Sequence, residues 1–204
     1  MKNFFNLPVE KQDVIIGAAL KTFATNGYKK TSVSDIAAAA GISKAMIFHY
    51  FGTKKALYFY LIELCGNIIM NEVNEKFDST VTDFFERIKL STSIEISVMK
   101  KHPAIPSFLT SMYFENDEEV KGDIKALLAK SEGTRNKIAF DGMDYSKFKD
   151  SVDLKLFMKM LTWIADGYAK QLSTNPDLDY DVLYKEFEEC LNMLKNNFYK
   201  EEYI

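Results

Sequence analysis

The side chains best suited to chemistry lie close together near the amino terminus, within residues 31–55, TSVSDIAAAAGISKAMIFHYFGTKK. They include hydroxyl groups, lysines and one histidine, at spacings that place them along the outside of two short helices. This set suits the phosphates and base edges of a nucleic acid. It lacks the nucleophile, metal cluster or phosphate loop that a histidine would need beside it for catalysis. The candidate DNA-binding residues are Ser32, Ser43, Lys44, Ala45, Met46, Phe48, His49 and Lys54.

Two serines and one glycine predict a pair of short helices joined by a tight turn. Ser32 and Ser43 each precede an apolar-periodic segment and supply the hydroxyl that caps a helix, so we expect helices over 33–40 and 44–51. Gly41 lies between them, where the chain must adopt a left-handed conformation. This spacing is typical of a helix-turn-helix.

The second of these helices is expected to have one buried and one exposed face. Helical spacing turns its three large residues Ile47, Tyr50 and Phe51 inward. Of the outward residues, those at 44–46 are expected to face base edges, while His49 lies along the DNA backbone. Apolar side chains among them offer contact to thymine methyl groups.

Lys54 and Lys55 follow at the amino terminus of the next predicted helix. The helix dipole disfavours cations there, so a phosphate outside the protein would explain both lysines. A plain helical hairpin that binds no DNA is the alternative interpretation. The caps, the glycine, the small alanines and the outward lysines all agree with the DNA-binding interpretation, and this agreement favours it.

Residues 18–58, AALKTFATNGYKKTSVSDIAAAAGISKAMIFHYFGTKKALY, resemble the N-terminal domain of the TetR family of bacterial transcriptional regulators and cover about a fifth of the chain. The resemblance implies three DNA-binding helices and then a divergent helical domain that dimerises and usually holds an effector, with repression the common mode. At Phe48 the family often has a tyrosine that bonds a DNA phosphate, and phenylalanine has no hydroxyl for this bond. The residues that carry the resemblance include Phe23, Gly27, Tyr28, Ile36, Ala37, Gly41, Ser43, Tyr50, Phe51 and Lys54.

Helical patterns are predicted along the whole chain, so the expected fold class is all-α, with a three-helix DNA-binding head and a larger helical body. We expect a helix-turn-helix DNA-binding domain over 1–52 and an effector-binding and dimerisation domain over 53–204. Outside the helix-turn-helix, helices are predicted over 9–26, 53–76, 81–101, 104–113, 116–138, 151–172 and 180–200. Gly133 is expected to weaken the helix over 116–138. The predicted inner stripe of the first helix is Val14, Ile15, Ala18, Ala19 and Phe23.

Charge is distributed unevenly along the chain. Residues 1–55 hold eight lysines and three carboxylates, a charge of +5, so that the other 149 residues carry −8 of the total of −3. A basic head on an acidic body orients binding to a polyanion. Arg87 and Arg135 are the only arginines, and both lie outside the head, which excludes bidentate readout of guanine by an arginine of the head.

The composition also limits compartment and cofactor. No segment approaches the roughly 18 apolar residues of a membrane span, and the N-terminus becomes polar too soon for a signal peptide, so we expect no membrane association and a cytoplasmic protein. Cys65 and Cys190 have no metal-like spacing and are expected to be reduced, buried thiols. No residue pattern calls for a cofactor or a metal.

A small hydrophobic effector is the expected ligand of the body. Proline-broken and glycine-interrupted helices pack with gaps, and methionine adapts to what fills them. Arg87 could meet an acidic compound if it turns inward. The alternative is that the same aromatic and methionine residues are simply core. The candidate ligand-binding residues are Phe84, Ile88, Phe108, Met112, Tyr113, Leu127, Met160, Trp163 and Gly167.

The resemblance implies a homodimer in which the last two predicted helices pair with their symmetry mates in a four-helix interface. Surplus apolar surface on these helices is the physical reason for such an interface. The leading hypothesis is therefore a homodimeric regulator that binds a palindromic double-stranded operator, with repression implied by the resemblance. The alternative is a helical interaction or lipophile-binding protein with a vestigial helix-turn-helix. An enzyme is the least favoured of the three hypotheses, because neither His49 nor His102 has catalytic partners nearby in the sequence.

Overall fold

The computed structural model describes residues 1–174 and 179–204, and within them the regular elements are helical, as predicted. None of the described helices combines the length and the apolar character that crossing a membrane requires. The short 3₁₀ segments are Tyr145–Lys147 and Glu201–Tyr203. The α-helices are α1 (Lys2–Phe5), α2 (Val9–Lys30), α3 (Val33–Ala39), α4 (Lys44–Phe51), α5 (Lys54–Lys76), α6 (Phe84–Lys101), α7 (Ala104–Tyr113), α8 (Lys121–Phe140), α9 (Leu154–Thr174) and α10 (Tyr180–Phe198).

The chain divides into two compact units. The first unit consists of Met1–Met70 and Lys101–Leu127, and the second of Asn71–Lys100 and Leu128–Ile204. The first unit therefore contains α7 and most of α5 in addition to the predicted DNA-binding helices. The division at residues 52 and 53 into a DNA-binding and an effector-binding domain is a functional one, and it stays a prediction.

The core of the first unit forms where α2 packs along α7. Phe23, Tyr58 and Phe108 are almost completely buried there. The ring centroids of Phe23 and Tyr58 are 4.9 Å apart, and those of Tyr58 and Phe108 are 5.5 Å apart, both near an edge-to-face arrangement. Such aromatic contacts add to the stabilisation from apolar burial. Helices from both sequence segments of the unit thus contribute to its core.

The inner stripe predicted for α2 is only partly confirmed. Ile15, Ala19 and Phe23 are buried, as predicted, but Val14 is 55% exposed. Val14 precedes Ile15 by one residue, or about 100° around the helix, so both cannot lie at the centre of one buried face. The regular backbone of α2 is interrupted at Gly27, which has a φ of 68° and a ψ of 176°.

Aromatic side chains also dominate the core of the second unit. Phe84, Phe85, Phe148, Phe157 and Tyr199 are all buried and belong to one cluster. The backbone N–H of Phe84 donates to the Tyr199 hydroxyl at 3.2 Å, which satisfies a polar group inside this apolar cluster. Phe148 and Tyr199 also form an isolated antiparallel bridge. The start of α6 and the segment around Phe148 are thereby both fixed to the residue that follows α10.

Two predicted starts of the later helices were wrong. The expected helix start at 116 shifts to Lys121, because 117–120 form a turn in which the Asp117 carbonyl accepts from the N–H groups of Val120 and Lys121. The start expected at 151 shifts to Leu154, because the Asp153 side chain accepts two backbone N–H groups and caps the helix there. Gly133 lies inside α8 without interrupting it, because glycine keeps its N–H, and the expected weakening of the helix there stays a prediction.

Both cysteines are free thiols, as predicted. Cys65 is fully buried on α5, and burial raises the pKa of its thiol to about 12. Cys190 is only half-buried, so the expectation that both thiols are buried was correct for Cys65 alone.

The glycine conformations predict a graded effect of added side chains on stability. Gly27→Ala is expected to lower the free energy of unfolding by about 1–3 kcal/mol, because its backbone lies in a region that only glycine adopts readily, and an added Cβ would lie 3.1 Å from a Glu115 carboxylate oxygen. Gly41→Ala is expected to cost about 1 kcal/mol, since φ is 67° but the space around it is open.

Gly17→Ala provides the matched control in urea unfolding experiments. Gly17 is inside α2, and an added Cβ would meet nothing within 4 Å, so the change is expected to be neutral or stabilising by up to about 1 kcal/mol. Equal losses for the Gly27 and Gly17 variants would contradict the conformational argument.

Candidate nucleic-acid interface

The two serine caps form as the sequence predicts. The Ser32 hydroxyl accepts the Asp35 N–H at 3.1 Å, and the Asp35 carboxylate accepts the Ser32 N–H at 3.3 Å, which completes a capping box at the start of α3. The Ser43 hydroxyl accepts the Met46 N–H at 3.3 Å and caps α4. Both hydroxyl groups use only acceptor capacity in these bonds, so each O–H can still donate to a phosphate oxygen.

The turn between α3 and α4 is closed by backbone hydrogen bonds around Gly41. The Ile42 N–H donates to the Ala37 carbonyl at 3.0 Å, and the Gly41 N–H donates to the Ala38 carbonyl at 3.2 Å. These two bonds, with a φ of 67° at Gly41, are those of a Schellman motif. The turn therefore satisfies the last carbonyl groups of α3 and fixes the direction in which α4 begins.

The predicted division of α4 into an inner and an outer face is confirmed. Ile47, Tyr50 and Phe51 are buried. Met46 is half-buried, and Phe48 is 41% exposed. Lys44, Ala45 and His49 of α4 are exposed as well. The structure thus brings the outward candidates together on one surface, and their contact with DNA stays a prediction.

Lys54 has internal partners that the sequence did not reveal. Its ammonium donates to the carbonyl oxygens of Tyr28 and Thr31, at 3.0 and 3.2 Å, and lies 4.1 Å from the centroid of the Tyr28 ring. The N–H of Tyr28 in turn donates to the Glu115 carboxylate at 2.6 Å. These contacts explain the Lys54 ammonium without an outside anion, and one of its three N–H groups remains available to a phosphate.

Lys55 also has internal partners. Its ammonium is 2.8 Å from the Asp123 carboxylate and donates to the Glu119 carbonyl at 2.8 Å. Both side chains of the ion pair are more than one third exposed, so water and salt screen their attraction. Internal contacts therefore account for both lysines without the outside anion that the sequence suggested, and a phosphate contact at Lys54 stays a prediction.

The short helix α1 is a part of this region that the sequence pattern missed. Its Phe4 is completely buried, and the Phe4 ring centroid is 4.8 Å from that of Phe51 on α4. The amide of Asn3 lies 2.9 Å from the Nε2 atom of His49. The adjacent aromatic residues Phe4 and Phe5 were the available signal, in a segment that otherwise reads as polar.

The nine candidate ligand-binding residues do not all come together within one unit. In the first unit, Phe108 and Met112 are buried, while Tyr113 and Leu127 are 37% and 39% exposed. In the second unit, Phe84 is buried, Ile88 and Met160 are partly buried, Trp163 is 57% exposed and Gly167 is exposed. These residues were chosen from the sequence pattern of the predicted helices. Such a pattern does not distinguish the wall of a cavity from a packed core or from the surface. Their role in ligand binding stays a prediction.

Arg87 does not have the orientation expected of an effector-binding arginine. It is 2% exposed, and its guanidinium donates to the carbonyls of Ile138 at 2.8 Å and Val81 at 2.5 Å. Its central carbon lies 5.0 Å from the Phe77 ring centroid. These contacts hold the end of α8 and the segment before α6 against α6, which gives Arg87 a structural role.

Comparison with known proteins identifies relatives of the N-terminal part. The family model described as bacterial regulatory proteins, tetR family, matches residues 15–61. The biofilm operon icaADBC HTH-type negative transcriptional regulator IcaR of Staphylococcus aureus is 34% identical over 84 residues, which make up 38% of this chain. The match spans 45% of that regulator, so the chain matches less than half the length of this curated relative.

Two solved structures resemble the chain over most of its length. A TetR family transcriptional regulator from Chloroflexus aurantiacus has a TM-score of 0.77 at 20% identity, covering 98% of this chain and 99% of that one. The regulator FadR from Bacillus subtilis, solved in complex with stearoyl-CoA, has a TM-score of 0.69 at 23% identity, covering 87% of this chain and 96% of that one. At these identities the likeness shows the fold.

The Lys54 contacts predict a contribution to stability that Lys55 lacks. Lys54→Met keeps the apolar stem but removes the donors to two carbonyls of buried residues, so we expect a loss of about 1–3 kcal/mol in the free energy of unfolding. Lys55→Met removes an exposed ion pair and is expected to cost at most about 1 kcal/mol. Urea unfolding measures both, and equal losses would contradict the structural role of Lys54.

Proposed function

We propose that this chain, which belongs to the TetR family of bacterial regulatory proteins, binds a palindromic double-stranded DNA operator as a homodimer. Like the other members of the family, it is a transcriptional regulator and not an enzyme. IcaR is a negative regulator, and we extend this mode to the present chain, so that operator binding represses transcription.

The outer face of α4 is the observation that carries the proposed DNA contact. Its exposed residues lie on a helix that Ser43 caps and that the turn at Gly41 holds in a fixed direction. A helix held in this way can enter the major groove as a rigid body. Lys44 supplies positive charge for base edges or phosphates, and Met46 supplies apolar contact.

Hydroxyl and amide donors complete the proposed interface. Ser32 and Ser43 lie at the amino termini of α3 and α4, where unpaired backbone N–H groups and the helix dipole favour a phosphate. His49 lies on the exposed side of α4, along the proposed course of the DNA backbone. Phe48 offers apolar contact only. Lys54 has one N–H left for a phosphate, after the two that hold the carbonyls of Tyr28 and Thr31.

Binding to duplexes selected from a randomised library on the purified protein tests this function. We expect palindromic sequences whose affinity falls steeply with salt, because bound phosphates release counterions. Lys44→Met should weaken binding to a selected duplex by about tenfold and binding to a random duplex less, since a base contact is lost.

The control is Lys125→Met, which removes the same charge from an exposed position on α8 and should leave binding unchanged. Retention that does not depend on salt, or selection of no duplex, would instead support a helical lipophile-binding protein with a vestigial helix-turn-helix.

Exposed apolar side chains on α9 and α10 support the proposed homodimer. Leu156 and Trp163 on α9, seven residues apart, are 52% and 57% exposed, and Val182 and Met193 on α10 are each 60% exposed. Apolar residues at these spacings share a helix face, and burying such faces favours self-association. Leu191 is fully buried within the core of the single chain, so a charge at Leu191 would test the fold and not the dimer.

Met193→Glu is therefore the substitution expected to give monomers, because it places a charge on an exposed apolar position of the proposed interface. Asn192→Glu adds the same charge at the neighbouring exposed position and should leave the dimer intact. Sedimentation at micromolar concentration measures both, and the monomeric variant should also lose operator affinity. A monomeric wild type, or equal behaviour of the two variants, would contradict the interface.

A small hydrophobic effector completes the proposal. FadR from Bacillus subtilis was solved with stearoyl-CoA, so a long-chain acyl compound is our first candidate for a chain with the same fold. Stearoyl-CoA should weaken operator binding, since an effector acts through its different affinity for two states, whereas coenzyme A alone should not. Unchanged operator affinity with stearoyl-CoA would exclude this class. Trp163 is too exposed to report directly on a buried site, so operator affinity is the better measurement.

A further inference from the structure

Helix α1 is anchored against the proposed recognition helix by a single aromatic side chain. Phe4 is completely buried although α1 has only four residues. Its ring lies against Tyr50 and Phe51 of α4 and against Tyr60 of α5, with centroid separations of 5.9, 4.8 and 5.9 Å. A helix this short has little stability of its own, so these contacts determine its position.

This anchor places a polar residue beside the outer face of α4. Asn3 precedes Phe4 and is exposed, and its Nδ2 atom lies 2.9 Å from Nε2 of His49, which is also exposed. The two residues are 46 positions apart in the sequence, so only the packing of α1 on α4 brings them together. His49 is one of the residues proposed to follow the DNA backbone.

The hydrogen bond determines which nitrogen of a neutral His49 ring carries the proton. The amide nitrogen of Asn3 can only donate, so Nε2 must accept and the proton of the neutral imidazole lies on Nδ1. The Nδ1–H group is then the remaining donor of the ring. The bond also limits rotation of the ring, which otherwise would be free on an exposed helix surface.

We propose that α1 is an additional part of the DNA interface, in which Asn3 is a positioning residue that orients His49 so that its Nδ1–H donates to a DNA phosphate. This inference rests on the proposed function and adds a residue outside the helix-turn-helix to it. The contribution of Asn3 passes through His49 and adds no base contact of its own, so it should affect all bound sequences to a similar extent.

Two measurements on the full chain test this inference. The first is the tautomer of His49, measured by nitrogen-15 NMR near pH 8.5, where a free imidazole is neutral. The second is affinity for a duplex selected from a randomised library on the wild-type protein. Asn3→Ala removes the donor and keeps Phe4. Asn6→Ala removes the same amide from an exposed residue just after α1 and is the matched control. His102 is exposed and provides an internal reference for a histidine without this donor.

We expect His49 to carry its proton on Nδ1 in the wild type and in Asn6→Ala, and to show the same mixture of tautomers as His102 in Asn3→Ala. Duplex affinity should fall about fivefold in Asn3→Ala, the effect of one lost hydrogen bond, and should not change in Asn6→Ala. In a His49→Ala background, Asn3→Ala should have no further effect, because the two residues act as one unit.

Three results would overturn the inference. One is a wild-type His49 with the tautomer mixture of His102, which would show that the hydrogen bond does not form. Another is an equal loss of affinity for Asn3→Ala with and without His49, which would show that Asn3 acts by another route. The third is a protein that binds no duplex while His49 still carries its proton on Nδ1. That result overturns the proposed function itself, and the intact tautomer distinguishes it from a failure of the Asn3 contact.

Discussion

The segment 27–31, which runs from the kink of α2 at Gly27 to the residue after that helix, imposes the constraint on which the helix-turn-helix depends, because its backbone groups bond to side chains that are distant in the sequence. The Tyr28 N–H donates to the Glu115 carboxylate, and the Lys54 ammonium donates to the carbonyls of Tyr28 and Thr31. Leaving such groups buried and unpaired would cost more than any of these bonds contributes. The start of α3, and with it the direction of α4, is therefore fixed by side chains from α5 and from the segment after α7.

Local signals in the sequence predicted the helix-turn-helix well, because each one acts within a few residues. The capping box of Ser32, the cap of Ser43 and the left-handed Gly41 all appear as expected. The partner of a long side chain cannot be predicted in this way. Lys54 bonds to a residue 26 positions away, and Tyr28 bonds to one 87 positions away. Such pairs depend on how helices pack, which a periodic pattern does not specify.

The same limit separates the two groups of candidate site residues. The outward face of α4 follows from a helix whose inner residues are known, so periodicity suffices. The apolar residues of the body have three possible environments, namely core, subunit interface and ligand site, and all three select the same side chains. Phe108 lies in a core and Trp163 on the surface, although both were chosen by the same criterion. The Asn3–His49 contact was missed because it needs α1, whose four residues contain too few turns to show a period.

The structure also changes how the charge of the head should be counted. Residues 1–55 have a formal charge of +5, which treats all eight lysines as available to DNA. Lys54 and Lys55 are only half exposed and bond to groups of their own unit, whereas the other six lysines of this segment are exposed. The ion pair of Lys55 is weak and can exchange Asp123 for a phosphate, while Lys54 cannot leave its two carbonyls without leaving them unpaired. The proposed affinity for DNA therefore depends first on the exposed lysines, whereas Lys54 mainly holds the backbone before α3.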